Sequence, residues 1–379
     1  HDQLRQDPLL AVLVGKRDPT GEDRSRARDQ GKALAGKSTL NRLELTPPRA
    51  NQKSRYKKIT VHRQAVRDLL IHLFLQAHDQ PPPCIILDVD ATDIPWHGHQ
   101  AGRFFHGYYD PYCYLPLYIF CGDHLLCAKL RPSNLDASTG ALKEVQRIVA
   151  AIRERFPTTP ILVRGDSGFC REPIMTWCEQ NGVHYLLGLA KNERLLREIE
   201  EELARAKTQF EETGKPARVF KDFRYSTLDS WSRERRVVGK AEHLEKGGNP
   251  RFVVTSLPPE QREAKSLYED VYCARGDMEN RIKEQQLCLF ADRTSSTAMR
   301  ANELRLWFSS VAYTLMTALQ RLGLQGTEPA PAQCDTIRLK LLKIGARIRV
   351  TVRKVWVSLA EGFPYRDVFR RIHPNLTRL

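Results

Sequence analysis

At 379 residues the chain has room for two or three domains of ~100–200 residues each. With 41% hydrophobic and 28% charged residues it buries a core and is not disordered, and no run approaches the ~18–20 uncharged apolar residues of a membrane helix. The net charge of +15 and a pI near 9.5 point to a polyanionic partner, nucleic acid first.

Residues 1 to 82 are basic and helix-prone. A short helix is expected over Leu34 to Glu44, capped at Ser38, and a stronger one over Val66 to Leu75, where apolar positions recur at helical spacing. Pro81-Pro82-Pro83 ends this region, because proline cannot continue a helix.

Strand signals follow. Ile85-Ile-Leu-Asp-Val-Asp90 is short and apolar with two carboxylates near its end. Tyr114 to Cys121 and His124 to Leu130 flank Gly122-Asp123, a hairpin signal. A helix from Thr139 to Arg155, a strand over Pro160 to Asp166, a helix over 172–181 and a strand over Val183 to Ala190 complete an α/β pattern with a mixed sheet. That order is the order of an RNase H-like core.

A charged helix, Asn192 to Lys207, opens a different section. Ala217 to Tyr225, Arg235 to Ala241 and Arg251 to Ser256 read as strands of a small inserted sheet. Helices resume over Ser266 to Leu289 and Ala298 to Leu322, with Trp307 to Leu319 too short for a membrane span and read as buried. A Pro/Gly-rich linker (324–332) leads to a basic tail, in which Arg347 to Arg353 alternates basic with apolar as a half-exposed strand does.

Nine cysteines, an odd number without a Cys-x-x-Cys pair, fit reduced thiols of a cytosolic protein better than a disulfide framework. No signal peptide is visible, and the start at His1 rather than Met leads us to expect a preceding segment.

The chemistry-bearing residues are carboxylates. Asp90 and Asp166 end strands, and Asp88 projects to the same side as Asp90 because side chains alternate along a strand. Small residues around each, Asp90-Ala-Thr92 and Gly165-Asp-Ser-Gly168, leave room for a metal and a substrate. Carboxylates at adjacent strand ends suit Mg²⁺, whereas a lone strand-end Asp more often caps a turn. Tyr272, Arg275 and Glu279, spaced by three and four, share one helical face, where Arg offers a forked donor for phosphate; an ordinary i,i+4 ion pair is the alternative.

Taken together, these segments resemble bacterial insertion-sequence transposases of the DDE type, in the branch named for a Tyr-Arg-Glu-Lys signature, and most of all the insertion-sequence thirteen-eighty family. The resemblance rests on Leu87-Asp-Val-Asp-Ala-Thr-Asp-Ile-Pro-Trp-His-Gly-His-Gln100, Val163-Arg-Gly-Asp-Ser-Gly-Phe169 and Tyr272 through Lys283, with Asp292-Arg-Thr-Ser295 and Arg300-Ala-Asn-Glu-Leu-Arg305 in support. It spans essentially the whole chain. It implies that Asp90, Asp166 and Glu279 are the catalytic, metal-holding acids for two Mg²⁺ (or Mn²⁺) ions, with Tyr272 and Arg275 near the phosphates of the transposon end. The signature Lys falls at Gln286, which carries no charge; Lys283, one turn beyond Glu279, covers part of that role.

Other residues are weighed for DNA contact. His97-Gly-His99, with His106 and Cys113, lacks zinc-site spacing and reads as a loop beside the active site in which His97 approaches DNA. Trp231 stands among basic residues, either stacked on an unpaired base or packed in its sheet. Arg347, Arg349 and Arg353, with Arg338, Lys340, Lys343 and Lys354, suit a phosphate backbone, and Leu34 to Glu44 is a weak helix-turn-helix candidate.

The expectation is therefore an α/β, RNase H-like mixed-sheet catalytic core with a β-rich insertion and flanking helical, basic regions. Its parts are a basic N-terminal region (1–82), the core's first part (83–190), the insertion (191–258), the core's second part with the Glu helix (259–323) and a basic tail (324–379). The resemblance implies cut-and-paste transposition through hairpin ends, by a homodimer on double-stranded DNA (terminal inverted repeats and target), in the bacterial cytoplasm with the nucleoid and away from membranes. The rival readings are an RNase H-like nuclease without strand transfer and a catalytically inactive, transposase-derived DNA-binding protein.

Overall fold

The structure is a computed structural model that describes all residues except 1, 48–49, 52, 54–60, 96–97, 99, 108–111, 352 and 378–379. It divides into two compact units, one made of His1–Arg63 with Ser295–Leu379 and the other of Gln64–Thr294. Among the described residues no helix is long and apolar enough to cross a membrane.

The first unit begins with α1 (Pro8–Leu13) and α2 (Lys37–Leu45). Asp7 caps α1 by accepting from the amides of Leu9 and Leu10, and Pro8 stands at the first helical position, where no amide is needed. For α2 the expected cap at Ser38 is not the one found: the cap position lies two residues earlier, at extended Gly36, without a side-chain cap.

The second unit carries α3 (Arg63–Gln76) and then β1 (Ile85–Ala91), followed by the short strands β2 (Ile94–Pro95), β3 (Phe104–Phe105) and β4 (Tyr112–Tyr114), which make a small sheet of their own. The single strand expected over Tyr114 to Cys121 is broken at Pro116, which has no amide for the ladder; β5 (Leu117–Cys121) begins after it. Gly122, at φ +54°, makes the tight turn into β6 (His124–Lys129). Then come α4 (Ala141–Arg155), β7 (Ile161–Gly165), α5 (Glu172–Gln180) and β8 (His184–Leu189).

These strands lie in the order β6-β5-β1-β7-β8, with β6, β5 and β1 antiparallel and β1, β7 and β8 parallel. The result is a mixed α/β core with a large mixed sheet and flanking helices, consistent with an RNase H-like arrangement. Ile85, Leu87 and Val89 of β1 point into the main core, where they meet Val145, Ile148 and Ile152 from the apolar stripe of α4. The residues between them, Ile86, Asp88 and Asp90, lie on the opposite face.

The charged helix expected over Asn192 to Lys207 is two helices, α6 (Glu193–Glu198) and α7 (Glu200–Thr213). They part at Ile199, which is fully buried and held against the sheet at Gly239, where a side chain's Cβ would stand 2.7 Å from Ile199 Cγ2. The strands that follow, β9 (Ala217–Tyr225), β10 (Arg235–Leu244), β11 (Gly247–Gly248) and β12 (Arg251–Thr255), do not form the separate small sheet that was expected. β12 pairs antiparallel with β8, so they extend the central sheet. A buried ion-pair network fastens this extension: Arg235 of β10 bonds Glu172 at 2.6 Å and Glu179 at 2.8 Å, both on α5.

The far face of the sheet is covered by residues 264–288. They run as α8 (Ala264–Ser266), a wide π-type turn (Leu267–Tyr272), a tight 3-10 turn (Cys273–Arg275), α9 (Gly276–Lys283) and a second π-type turn (Glu284–Cys288). Leu267 and Tyr268 pack on Leu162 and Leu186. The first unit resumes with α10 (Met299–Ala318), in which Trp307 and Tyr313 are buried, and α11 (Cys334–Ile337). It ends with the hairpin β13 (Ala346–Val350) and β14 (Val355–Leu359) and with α12 (Arg366–Thr377). Arg305 of α10 holds Glu44 of α2 at 2.9 Å through both carboxylate oxygens. The nine cysteines form no disulfide.

Candidate active site

The strand register places the charged residues of the far face in rows. Asp88 on β1 stands opposite Arg164 on β7, and Arg164 opposite Leu186 on β8. Two residues on, Asp90, Asp166 and Gly188 form the next row, at the ends of the parallel strands. Pairing between strands far apart in sequence thus brings Asp90 and Asp166 side by side.

Asp90 is 9% exposed and accepts from its neighbour's amide, Ala91, at 2.8 Å. Arg275 reaches it from the covering segment, Nη1 to Oδ2 at 3.3 Å, while its Nη2 donates to Glu279 at 3.2 Å. The Asp90 carboxyl is pushed up to about 7, chiefly by burial, with Arg275 pulling it down and the nearby charges of Asp166 and Glu279 adding to the rise. Burial also opposes the charge on Arg275, but Asp90, Tyr272, Asp166 and Glu279 outweigh it and hold the guanidinium above its ordinary value. Arg275 thus bridges Asp90 and Glu279 and also feels the charge of Asp166.

Asp166 follows β7 and accepts from Gly168 N at 2.8 Å, so one oxygen does the turn-capping work of an ordinary strand-end Asp. Glu279, on α9, is 48% exposed at its side chain. Tyr272 is held between the covering segment and β8, and burial raises its hydroxyl pKa. A Cβ on Gly188 would lie 2.5 Å from the Tyr272 hydroxyl and 2.9 Å from Ser167 N, so glycine is what lets the ring sit beside Asp166.

Asp88, the other carboxylate of β1, is engaged elsewhere. Arg164 binds it in two-pronged fashion, at 2.5 Å and 2.7 Å, and also donates to the carbonyl of Val271 in the first π-type turn. That turn leaves carbonyls without their usual partners, and Arg164 supplies one. Burial raises the Asp88 carboxyl above its ordinary value, and the Arg164 hydrogen bonds counter only part of that. Sequence reasoning missed this role for Arg164; its signal was an arginine inside an apolar strand, two residues before Asp166 as Asp88 is two before Asp90.

Gln286, which stands at the Lys position of the signature, donates to the Asp93 carbonyl at 3.1 Å, and so ties the second π-type turn to the loop after Asp90. Lys283 is exposed on α9. Trp231 is partly buried against the main core, edge-on to Tyr225 at 5.8 Å and beneath Arg235 at 5.5 Å. Arg347, Arg349 and Arg353 are exposed in the other unit, and His97 lies outside the described residues. Among the described residues, no three His, Cys, Asp or Glu groups stand close enough to hold a metal ion in this conformation.

With strand-end acids and a helical glutamate gathered around one arginine, comparison with protein families is decisive. The model for "Transposase DDE domain group 1" matches residues 1–379. The chain belongs to this DDE transposase family. As a family member it is placed with proteins of DNA transposition and recombination, and DNA is the partner that membership makes plausible. No curated protein matches the chain.

Proposed function

We propose that the chain is a cut-and-paste DDE transposase of the Tyr-Arg-Glu-Lys branch, most similar to the insertion-sequence thirteen-eighty family, with an RNase H-like core and with Asp90, Asp166 and Glu279 as its catalytic acids. The observation that carries this is the shared field of the three carboxylates. Asp90 is buried, in the field of two other acids, and compensated among the described residues by the Arg275 charge and the Ala91 amide. Such a deficit of positive charge, offered by hard oxygen donors, fits Mg²⁺ or Mn²⁺. Asp90, Asp166 and Glu279 would hold two such ions, with Arg275 withdrawn from between Asp90 and Glu279. Bound there, the ions would supply the charge that activates an attacking oxygen and stabilises a leaving one.

The remaining roles belong to the chain itself. Arg275, once released from the carboxylates, presents a fork of donors to phosphate oxygens beside the acids. Tyr272 fills the space over Gly188 and lies in the field of Arg275, whose charge works against the effect of burial on its hydroxyl. Gln286 steadies the loop that leaves Asp90, and Lys283 offers a phosphate contact from the exposed side of α9. Water attack on the scissile phosphate breaks the strand and frees a 3′-hydroxyl. That hydroxyl then attacks the opposite strand, leaving a hairpin end, or the target duplex. Two ends cut in one assembly require a homodimer on DNA.

Cleavage of a labelled duplex carrying the terminal repeat, with Mg²⁺ or Mn²⁺, tests this reading with the wild type beside Asp90→Asn and Glu279→Gln. Metal-dependent nicking lost in both variants supports it. A wild type that binds the repeat and never cuts it points to a non-catalytic DNA-binding protein. Nicking without strand transfer points to a nuclease.

A further inference from the structure

The hairpin β13–β14 is a ribbon of two strands that, among the described residues, pairs with no other strand. Residues directly opposed in an antiparallel pair share a face. Arg347 faces Ser358 and Arg349 faces Trp356 on one side; Ala346, Ile348, Val350, Val355, Val357 and Leu359 make up the other. The first four are all exposed; of the others Ile348, Val350 and Val355 are partly buried, while Ala346, Val357 and Leu359 are exposed. The basic side is therefore the more fully exposed of the two.

That side has a particular composition. Trp356 is 50% exposed, with the Arg349 guanidinium 5.6 Å and the Lys354 ammonium 5.8 Å from its ring centroid. Arg353 adds a further exposed cation at the bend, and no acidic residue occurs from Ala346 to Leu359. A large ring left half in water gives up burial that a core position would provide. Its two cations hold it in place only weakly, as cation–π pairs at exposed sites do. A bare two-stranded ribbon is marginal by itself, so an exposed Trp among uncompensated cations suits a surface that meets an anionic, partly apolar partner.

We propose that this ribbon is a docking surface for duplex DNA, with Arg347, Arg349, Arg353 and Lys354 on the phosphates and Trp356 against the sugars and base edges between them. A two-stranded ribbon fits the major groove, and phosphate contact favours clustered Arg and Lys. The proposal rests on the transposase reading and deepens it by assigning a duplex-holding surface outside the acid site.

The test is binding of the terminal-repeat duplex to the full chain by fluorescence anisotropy across a salt series. It compares wild type, Arg347→Ser/Arg349→Ser, Trp356→Ser and, as a control for an exposed cation elsewhere, Lys207→Ser. Melting curves establish that each variant is folded. The double arginine variant is expected to flatten the log–log salt slope by roughly 1.8, at about 0.9 for each phosphate no longer neutralised, and to weaken binding at least tenfold. Trp356→Ser is expected to weaken binding several-fold with the slope unchanged, and Lys207→Ser to change neither. Wild-type slope and affinity in the folded ribbon variants would overturn the proposal. So would a change of the double variant from dimer to monomer with its salt slope intact, which would make the ribbon a subunit interface. A wild type that neither binds nor cuts the duplex would sink the transposase reading itself, and this surface with it.

Discussion

The guanidinium of Arg275 donates to the Asp90 carboxylate at 3.3 Å across 185 residues of chain, and the same group holds Glu279 at 3.2 Å. One side chain thus neutralises two of the three acids that, in the proposed reading, share the metal. In that reading arginine and divalent cation compete for the same oxygens. Any population with Arg275 in place would then weaken apparent metal affinity in proportion.

Arg275→Ala should therefore bind Mn²⁺ more tightly than the wild type, by several-fold, and show a larger metal-induced rise in melting temperature. Its cleavage of the terminal-repeat duplex should nonetheless fall, by roughly 10²-fold, because a preorganised donor to the phosphate is removed. Calorimetric titration with Mn²⁺, run beside the cleavage assay, checks both halves. Weaker metal binding in the variant would show that Arg275 only orders the acids.

Gly188→Ala tests the packing that seats Tyr272. The added Cβ would stand 2.5 Å from the Tyr272 hydroxyl and 3.1 Å from the Asp166 carbonyl carbon, so one of them must move. We expect a loss of about 1–3 kcal/mol in stability, the usual cost of overpacking, and a larger loss of cleavage. Adding Tyr272→Phe removes the closest approach and should recover part of the stability. Denaturant unfolding of the single and double variants reads the coupling.

The Asp88–Arg164 pair is buried on both sides, at 6% and 5% exposure. Arg164→Met strands the aspartate and should cost about 3–5 kcal/mol. The double variant Asp88→Leu/Arg164→Met leaves no stranded charge and should regain most of that stability. It does not restore the hydrogen bond to the Val271 carbonyl, so the covering segment loses its tether and cleavage should stay low. Full activity in the double variant would remove Arg164 from any role in placing Arg275 and Glu279.

Acid stability should report the Arg235 network. Burial works to raise Glu172, but hydrogen bonds from Arg235, Ser232 and Thr176 outweigh it and hold the carboxyl at about 2, below its ordinary 4.5. Glu179 is lowered in the same way, with Arg235 and Tyr185 its main hydrogen-bond donors against burial. Because the folded values lie below the unfolded ones, this stability is present above pH 4.5 and lost as pH falls toward 2. Arg235→Met should flatten the stability-versus-pH curve in that window, and chemical denaturation at a series of pH values measures the slope.

Local pattern was enough to read much of the second unit. β1, the turn at Gly122, α4, β7, α5 and β8 follow from apolar periodicity and from Gly and Pro, which act on the chain within a few residues. Local pattern also put Asp90 and Asp166 at strand ends and Tyr272, Arg275 and Glu279 on one helical face. The covering segment was less legible. Its π-type and tight turns depend on what the backbone meets, such as Arg164 at the Val271 carbonyl, and not on propensity.

What the sequence determined by itself is the inventory: which strands are apolar, which acids end them, and a charge that calls for an anionic partner. Only the tertiary structure decided the pairings. β12 joined β8 because a strand's hydrogen-bond edge does not distinguish core from insertion. Asp88 fell to Arg164 because parallel register set them opposite. Arg275 came to Asp90 because the segment bearing it packs its Leu267 and Tyr268 on the sheet. Each of these is a meeting of residues far apart in the chain, made favourable by the burial of both partners together, and no stretch of sequence carries that information alone.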